Sequence, residues 1–518
     1  MPQVTETTPL LAPESSPSPS PSSLSTSSNP PSKPTNAADT TTPKNTFTPS
    51  QKRLIILTAF LASTLSPLSS NIYYSALNAL ATELHVSQSQ INLTITTYMI
   101  CQALSPTLTA TLSDTHGRRP AYILCLTLYI ISNIALSRCH SYRSLLVFRA
   151  LQSTGISGTV ALSAAVAADI IEPHERGVYI GFTSLGNILA PSLGPVLGGV
   201  ITGGRFGWRG VFGFLAVAGM VVLGMLVVVL PETKNTRSNS KTEVDEEVLR
   251  RERTPAHTDG PAKKQRKFAV PNPFASLRLL GHRPAGLILL SNGLVFASYY
   301  SVTAGIPVQF ERLYGFKDIG IGLVFLPAGV GSLVSAAFCG KIMDWNYRRV
   351  QREYQDTNGA ADGNGTRKDT EFHIERARLQ IGGPMALLSA LALLLYGVVL
   401  DLQPPLAVSL ALIFLVSFSI TASYNVMNVL LVDLYYSTPA TVMATNNFVR
   451  CFLGAASTAL VTPMVERFGN GRTYSVVSAV IVAVCCPILG MAYANGVQWR
   501  VQRDQKQKRS FGVDDGTV

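Results

Sequence analysis

The sequence predicts an all-α membrane protein with twelve transmembrane helices in two related six-helix halves. Three observations carry this: a charge-poor composition, apolar runs recurring along the chain, and a charged motif that occurs once in each half. Of 518 residues, 47% are hydrophobic and 14% charged, whereas soluble domains carry about a quarter charged residues. A spanning helix needs about 20 apolar residues. Backbone groups in hydrocarbon must bond internally, so each run is expected to be helical.

Residues 1–53 are rich in Ser, Pro and Thr, a composition that buries too little surface to fold, so a disordered cytosolic tail is expected. The tail lacks the apolar stretch of a cleavable signal peptide. Its Glu6-Thr7-Thr8-Pro9-Leu10-Leu11 resembles an acidic dileucine sorting signal, or is a chance match in low-complexity sequence. Spans are expected near 54–75, 90–111, 121–138, 144–166, 178–202 and 211–231, which form an N-terminal bundle over 54–231. The polar stretch 232–284, with Arg250-Arg251 and Lys263-Lys264-Gln265-Arg266-Lys267, reads as a cytosolic linker. Spans near 285–306, 319–341, 379–400, 405–427, 441–462 and 473–495 form a C-terminal bundle over 285–495, and 496–518 is a cytosolic tail. With both termini in the cytosol, 32 of the 42 Lys and Arg residues lie in inside segments and 8 in outside loops, as the positive-inside rule asks.

The net charge of +12 would suit nucleic acid or a membrane surface. Its confinement to loops between apolar runs favours the membrane. No phosphate-binding loop, HExxH or nucleophile elbow is present, so neither an enzyme nor an ATP-driven pump is expected. The seven cysteines have neither metal-site nor disulfide spacing and read as packing residues. No cofactor or metal is implied.

The loop after the second span reads Leu112-Ser113-Asp114-Thr115-His116-Gly117-Arg118-Arg119-Pro120. Gly117 permits a tight turn, and Asp114 and Arg118 can form a charge-assisted pair. After the eighth span comes Gly340-Lys341-Ile342-Met343-Asp344, followed by Arg348-Arg349. Asp344 and Arg348 repeat the four-residue spacing of Asp114 and Arg118, as expected of an internal repeat. The fourth span opens Arg149-Ala150-Leu151-Gln152-Ser153-Thr154-Gly155, and the fifth holds Gly181 and Gly194-Pro195-Val196-Leu197-Gly198-Gly199. An arginine inside a span should face a cavity or partner, or snorkel to the surface. Small residues let helices approach closely, and Pro195 bends the fifth.

Together these segments resemble the major facilitator superfamily. Ala110 and Thr115 depart from its loop signature, which has Gly and commonly Arg there. The resemblance implies a major facilitator fold and a gate at the cytosolic mouth made by Asp114, Gly117, Arg118 and Arg119 with Asp169, and by Asp344, Arg348 and Arg349. It assigns Arg149, with Gln152, to proton coupling. The fifth-span pattern Gly181, Gly194, Pro195, Gly198, Gly199 resembles the antiporter motif, with Ala190 where that motif has another Gly. Leu65–Tyr74, Asn92–Met99, Asp344–Arg349, Glu375–Leu379 and Asn446–Cys451 further resemble fungal drug:proton antiporters of the quinidine-resistance type, a resemblance covering about 54–495. Fungal citrate exporters share the scaffold, but they carry polar Arg and Gln in the fifth span where Asn187 and Pro191 stand here.

Polar residues on apolar spans are candidates for the substrate path: Asn71, Tyr73, Tyr74, Asn92, Tyr98 and Gln102, then Asn292, Tyr299, Tyr300, Asn425, Asn428, Asn446, Asn447 and Arg450. Each could instead make an interhelical hydrogen bond. Arg450 lies about 14 Å into its span, so it should have a partner, water or an anionic ligand. None of the 30 Asp and Glu residues falls well inside a span. The expectation is a monomer in the plasma or vacuolar membrane, exporting a small amphipathic molecule against protons. A defined organic acid or polyamine is the alternative, and a non-transporting sensor a third.

Overall fold

The computed structural model describes residues 48–170, 176–232, 276–358, 373–435 and 439–510. The expected tail with Leu10-Leu11, most of the 232–284 linker and residues 511–518 lie outside the described residues. Helix α1 (Pro49–Asn71) opens on a capping box, in which Thr48 Oγ1 accepts from Gln51 N and Gln51 Oε1 from Thr48 N. The cap ties down two end amides, so the helix starts inside the segment expected to be disordered. A 3-10 turn and α2 (Leu77–Glu83) continue it. Ser87 and Gln90 repeat the capping box before α3 (Gln88–His116). Helices α4 (Arg118–Ser137), α5 (Tyr142–Ser157), α6 (Thr159–Ile170), α7 (Arg176–Thr202) and α8 (Gly207–Val229) complete the first half. The expected fourth span is one candidate membrane helix, Tyr142–Ala167, which runs through Gly158 at φ −72° and ψ −20°.

The second half holds α9 (Arg283–Tyr314), α10 (Asp318–Asn358), α11 (Ile374–Asp401), α12 (Leu406–Leu434), α13 (Pro439–Val480) and α14 (Cys486–Ser510), with a π-turn at Ile481–Cys485. Gly469, at φ 83° and ψ 171°, breaks α13 into two arms. Helix α10 overruns its expected end at 341, and α14 overruns 495. The α10 extension is held on α11 by Asn346, whose Nδ2 donates to Ala377 O and Gln380 Oε1, and the α14 extension by the ion pair of Arg500 with Glu375 on α11.

Among the described residues, nine helices are long and apolar enough to cross a membrane. One runs from Thr441 to Gln502 and contains the Gly469 break, room for two passes. Helix α3 falls short because Asn92, Thr94, Thr96 and Gln102 dilute its apolar residues, and α7 contributes the shorter apolar helix Leu189–Thr202. The path is consistent with twelve passes. Large apolar side chains face outward around the helices, Leu108, Leu124, Ile131, Phe338 and Val228 among them, as hydrocarbon surroundings require.

Within the first half α1 packs on α7, α6 and α8, and α4 on α5 and α8. Within the second, α9 packs on α13, and α11 on α12 and α13. The halves meet through α7 on α10 and α3 on α13. One buried apolar cluster joins Tyr73, Tyr74 and Met99 of the first half to Tyr299, Tyr300 and Phe325 of the second. Gly117, Glu232 and Arg500 mark one end of the bundle, the linker face, and Gly315 and Gly469 mark the other, the far face.

Candidate functional site

Arg149 is buried in the first half, with 1% of its surface exposed. Its guanidinium carbon lies 4.0 Å from the centre of the Tyr73 ring and 4.3 Å from that of Tyr98. Arg149 Nη1 donates to Gln152 Oε1 at 2.6 Å, and Gln152 Nε2 donates to Asn133 Oδ1 at 2.7 Å. Two ring faces and an amide therefore stand where a carboxylate would usually balance the cation. Arg149 Nε has no hydrogen-bond partner, so the site, although buried, is incompletely satisfied. The structure thus joins Arg149, Gln152 and Tyr98, and adds Asn133, an amide on α4 that the sequence did not single out. The signal was there, since Asn133 and Gln152 are both amides within apolar helices, but nothing in the spacing pairs them.

The second half offers a different surface. Asn292, Asn428 and Asn446 form a ring of amides, with Asn292 Nδ2 2.9 Å from both partners' Oδ1 and Asn446 Nδ2 2.7 Å from Asn428 Oδ1. Beside it Phe296 packs among Tyr299, Tyr300 and Tyr424 in tilted and edge-on pairs, with centroids 5.4, 5.4 and 4.4 Å away. Arg450 lies over the same Phe296 ring at 5.2 Å and donates to Asn447 Oδ1 at 2.7 Å. Its Nε, the Tyr299 hydroxyl and Gln102 Oε1 are buried without hydrogen-bond partners among the described residues. Tyr74 stacks on Phe325 of the second half, 5.7 Å between centroids. Asn425 is half-buried.

Two of the expected path residues are occupied elsewhere. Asn71 Nδ2 turns back onto Pro67 O at 2.7 Å in its own helix. Asn92 Nδ2 donates to Thr462 Oγ1 at 2.5 Å, across the two halves. Asn78 Nδ2 reaches Pro307 O at 2.9 Å, and Thr96 Oγ1 reaches Ala455 O at 3.2 Å. These bonds bind the halves together on the far-face side.

On the linker face Arg118 Nε lies 3.2 Å from Asp169 Oδ2, and Arg118 Nη1 donates to Ser113 Oγ at 2.6 Å. Gly117 has φ 104° and ψ 169°, a conformation that only glycine adopts readily. The Asp114 side chain falls outside the described residues. Glu232, the first residue of the expected linker, caps α4: its oxygens accept from Arg118 N at 2.9 Å and Arg119 N at 3.2 Å. An acid at a helix N-terminus is favoured by both the free amides and the dipole. Arg119 Nη2 donates to Val227 O at 2.7 Å.

The second-half copy is wired differently. Arg349 pairs with Glu353, and Asp344 and Arg348 are exposed with no ion pair between them among the described residues. The counterpart of Arg118–Asp169 is Arg378–Asp433, at 3.1 Å between α11 and α12, with Arg378 also over the Tyr347 ring. Identical spacing along the chain did not give identical contacts, because the partner is chosen by the neighbouring helix.

The glycines of α7 let two neighbours in. A Cβ at Gly194 would lie 2.9 Å from Asn71 Cβ, and one at Gly198 would collide with Ile72 O and Ser75 Oγ. A Cβ at Gly199 would lie 2.5 Å from Asp318 O of the other half. Pro195 sits between them, and its carbonyl faces Gly322. The surroundings of Gly181 lie outside the described residues.

Residues 59–459 match the Major Facilitator Superfamily. The chain is 39% identical over 469 residues to the MFS-type transporter phiD of a fungal species, covering 88% of this chain and 70% of that protein. It is 32% identical to citrate exporter 1 of Aspergillus niger, covering 90% of each. The partially occluded inward-open structure of the xylose transporter XylE from E. coli superposes with a TM-score of 0.59 at 18% identity, over 86% of this chain and 98% of that one.

Proposed function

The chain belongs to the Major Facilitator Superfamily, and from that premise we propose that it exports small amphipathic molecules by alternating access, in exchange for protons. The observation that carries this reading is the lining where the halves meet. Aromatic rings stand around Tyr299 OH and Arg450 Nε, which, like Gln102 Oε1, are buried without hydrogen-bond partners among the described residues. Such atoms each cost about 1–3 kcal/mol, and a substrate with an apolar body and a few polar groups would satisfy them. In this reading the N-terminal bundle spans 54–231 and the C-terminal bundle 285–495, with both termini in the cytosol of a plasma-membrane monomer. The far-face bonds then close the outer end. In this reading Arg149, held by the Tyr73 and Tyr98 rings and by Gln152, is the coupling residue that the family resemblance implies.

The test uses vesicles carrying the protein and metabolites identified by comparing retention in cells with and without it. Collapse of the proton gradient should abolish concentrative uptake of the labelled compound. Unchanged uptake would remove the proton and leave a facilitator. A second reading, export of an organic acid, is favoured by Arg450 and by the similarity to a citrate exporter. Arg450→Gln should then impair anions selectively, whereas equal loss for cations points to a structural role.

A further inference from the structure

Helix α10 is 41 residues long, about 60 Å at 1.5 Å per residue, against about 40–45 Å for a whole bilayer with its headgroups. It starts at Asp318 on the far face, so its last turns pass through the headgroup layer of the linker face and beyond it. The rotation of this extension is fixed. Cys339, Met343, Asn346 and Val350 are buried, and Asn346 Nδ2 donates to Ala377 O at 2.7 Å and Gln380 Oε1 at 3.0 Å on α11.

The opposite side therefore faces out. It carries Lys341, Trp345, Arg348, Arg349 and Arg352, all exposed. Their spacing of three and four places them in one stripe. With Asp344 they line a concavity of about 360 Å³. Trp345 is 62% exposed and sits where an indole suits the boundary of lipid and water. Arg349 is paired with Glu353 and lies 6.0 Å over the Trp345 ring. Lys341, Arg348 and Arg352 have no ion pair among the described residues. The contrast with the first half is informative. There Arg118 and Arg119 are held by Asp169, Ser113, Val227 and the capping Glu232. In the second half the Asp433 carboxylate is taken by Arg378 and Glu375 by Arg500. The repeat has kept its basic residues and left them facing the membrane surface.

We propose that the Lys341–Arg352 stripe binds the phosphorylated headgroup of an anionic phospholipid, with Trp345 set among the headgroups, Arg348 and Arg352 on the phosphates, and Lys341, one turn deeper than Trp345, reaching outward to them. Several phosphates fit the stripe better than one, because its basic residues run over three helical turns.

The test is binding of labelled phosphatidylinositol bisphosphate to the full chain in phosphatidylcholine nanodiscs. A basic residue near the surface contributes about fivefold in affinity, so Lys341→Gln/Arg348→Gln/Arg352→Gln should weaken binding about a hundredfold. The charge-keeping Lys341→Arg/Arg348→Lys/Arg352→Lys should retain it, which separates charge from misfolding. Arg143→Gln, an exposed change on the far face, should have no effect. A Gln triple variant within about twofold of the native chain would overturn the proposal. So would an equal loss in Arg143→Gln, or displacement of the lipid by soluble inositol phosphate at matching concentration, which would make the site one for free phosphate.

Discussion

Gly117 shows how much one residue decides. Its backbone is in a region that costs other residues about 1–3 kcal/mol, and an added Cβ would lie 2.5–2.8 Å from the Glu232 carboxylate. Gly117→Ala should therefore strain the turn and displace the cap together, lowering the thermal midpoint of detergent-solubilised protein by several degrees. Glu232→Ala should cost about 1 kcal/mol as a lost cap. The double variant should cost less than the sum, since removing the carboxylate removes the collision. Additive losses would show that the two do not act together. The sequence placed Gly117 correctly in a turn but set Glu232 in the linker, because a cap supplied from far along the chain leaves no local signature. Arg149 is the converse case. Its position inside an apolar span marked it for attention, yet its actual surroundings, two tyrosine rings and an amide relay through Gln152 to Asn133, depend on separate helices coming together.

At the scale of the element, α7 is informative because a Cβ at Gly194, Gly198 or Gly199 would crowd the backbone of another element, which none on an α8 glycine would. Gly198 meets the α1 end at Ile72 O and Ser75 Oγ, whereas a Cβ added at Gly213 or Gly224 on α8 would meet nothing within 4 Å. Gly198→Val should push α7 off α1 and cost at least about 1–3 kcal/mol, the range for overpacking a close contact. Gly213→Ala should be neutral or stabilising by up to about 1 kcal/mol, from helix propensity. Thermal melts of both variants in one detergent check this; equal losses would show that α7 has no special seam. The glycine spacing was legible in the chain. Which glycine faced which neighbour was not, since a seam with α1 and a seam with α10 look the same along one helix. The ends of α10 and α14 were likewise hidden, because a mostly polar extension held by a few long-range polar contacts carries too little apolar signal.

The whole molecule closes on its far face through Asn92–Thr462, Asn78–Pro307 and Thr96–Ala455. Removing one such bond shifts a two-state balance by about 1 kcal/mol, or roughly fivefold. Asn92→Leu should therefore increase the population open at the far face. Spin labels at Arg143→Cys and Gln403→Cys, both exposed positions on the far face of opposite halves, should report more long distances in a background without the native cysteines. An unchanged distribution would show that these bonds do not set the balance. Composition and the recurring apolar runs alone determined that this chain is a bundle of membrane helices with a repeated charged motif, because a run of about 20 apolar residues matches the length at which a helix crosses the hydrocarbon with its own backbone bonds satisfied. They also marked the arginines and amides that an apolar span does not tolerate without reason. Tertiary structure alone decided the partners: Asn92 in the join between halves, Glu232 on α4, Asp433 with Arg378, and the second basic motif turned outward on α10. Those choices rest on which helices lie side by side, and contacts between residues hundreds of positions apart leave no periodic trace in the chain that makes them.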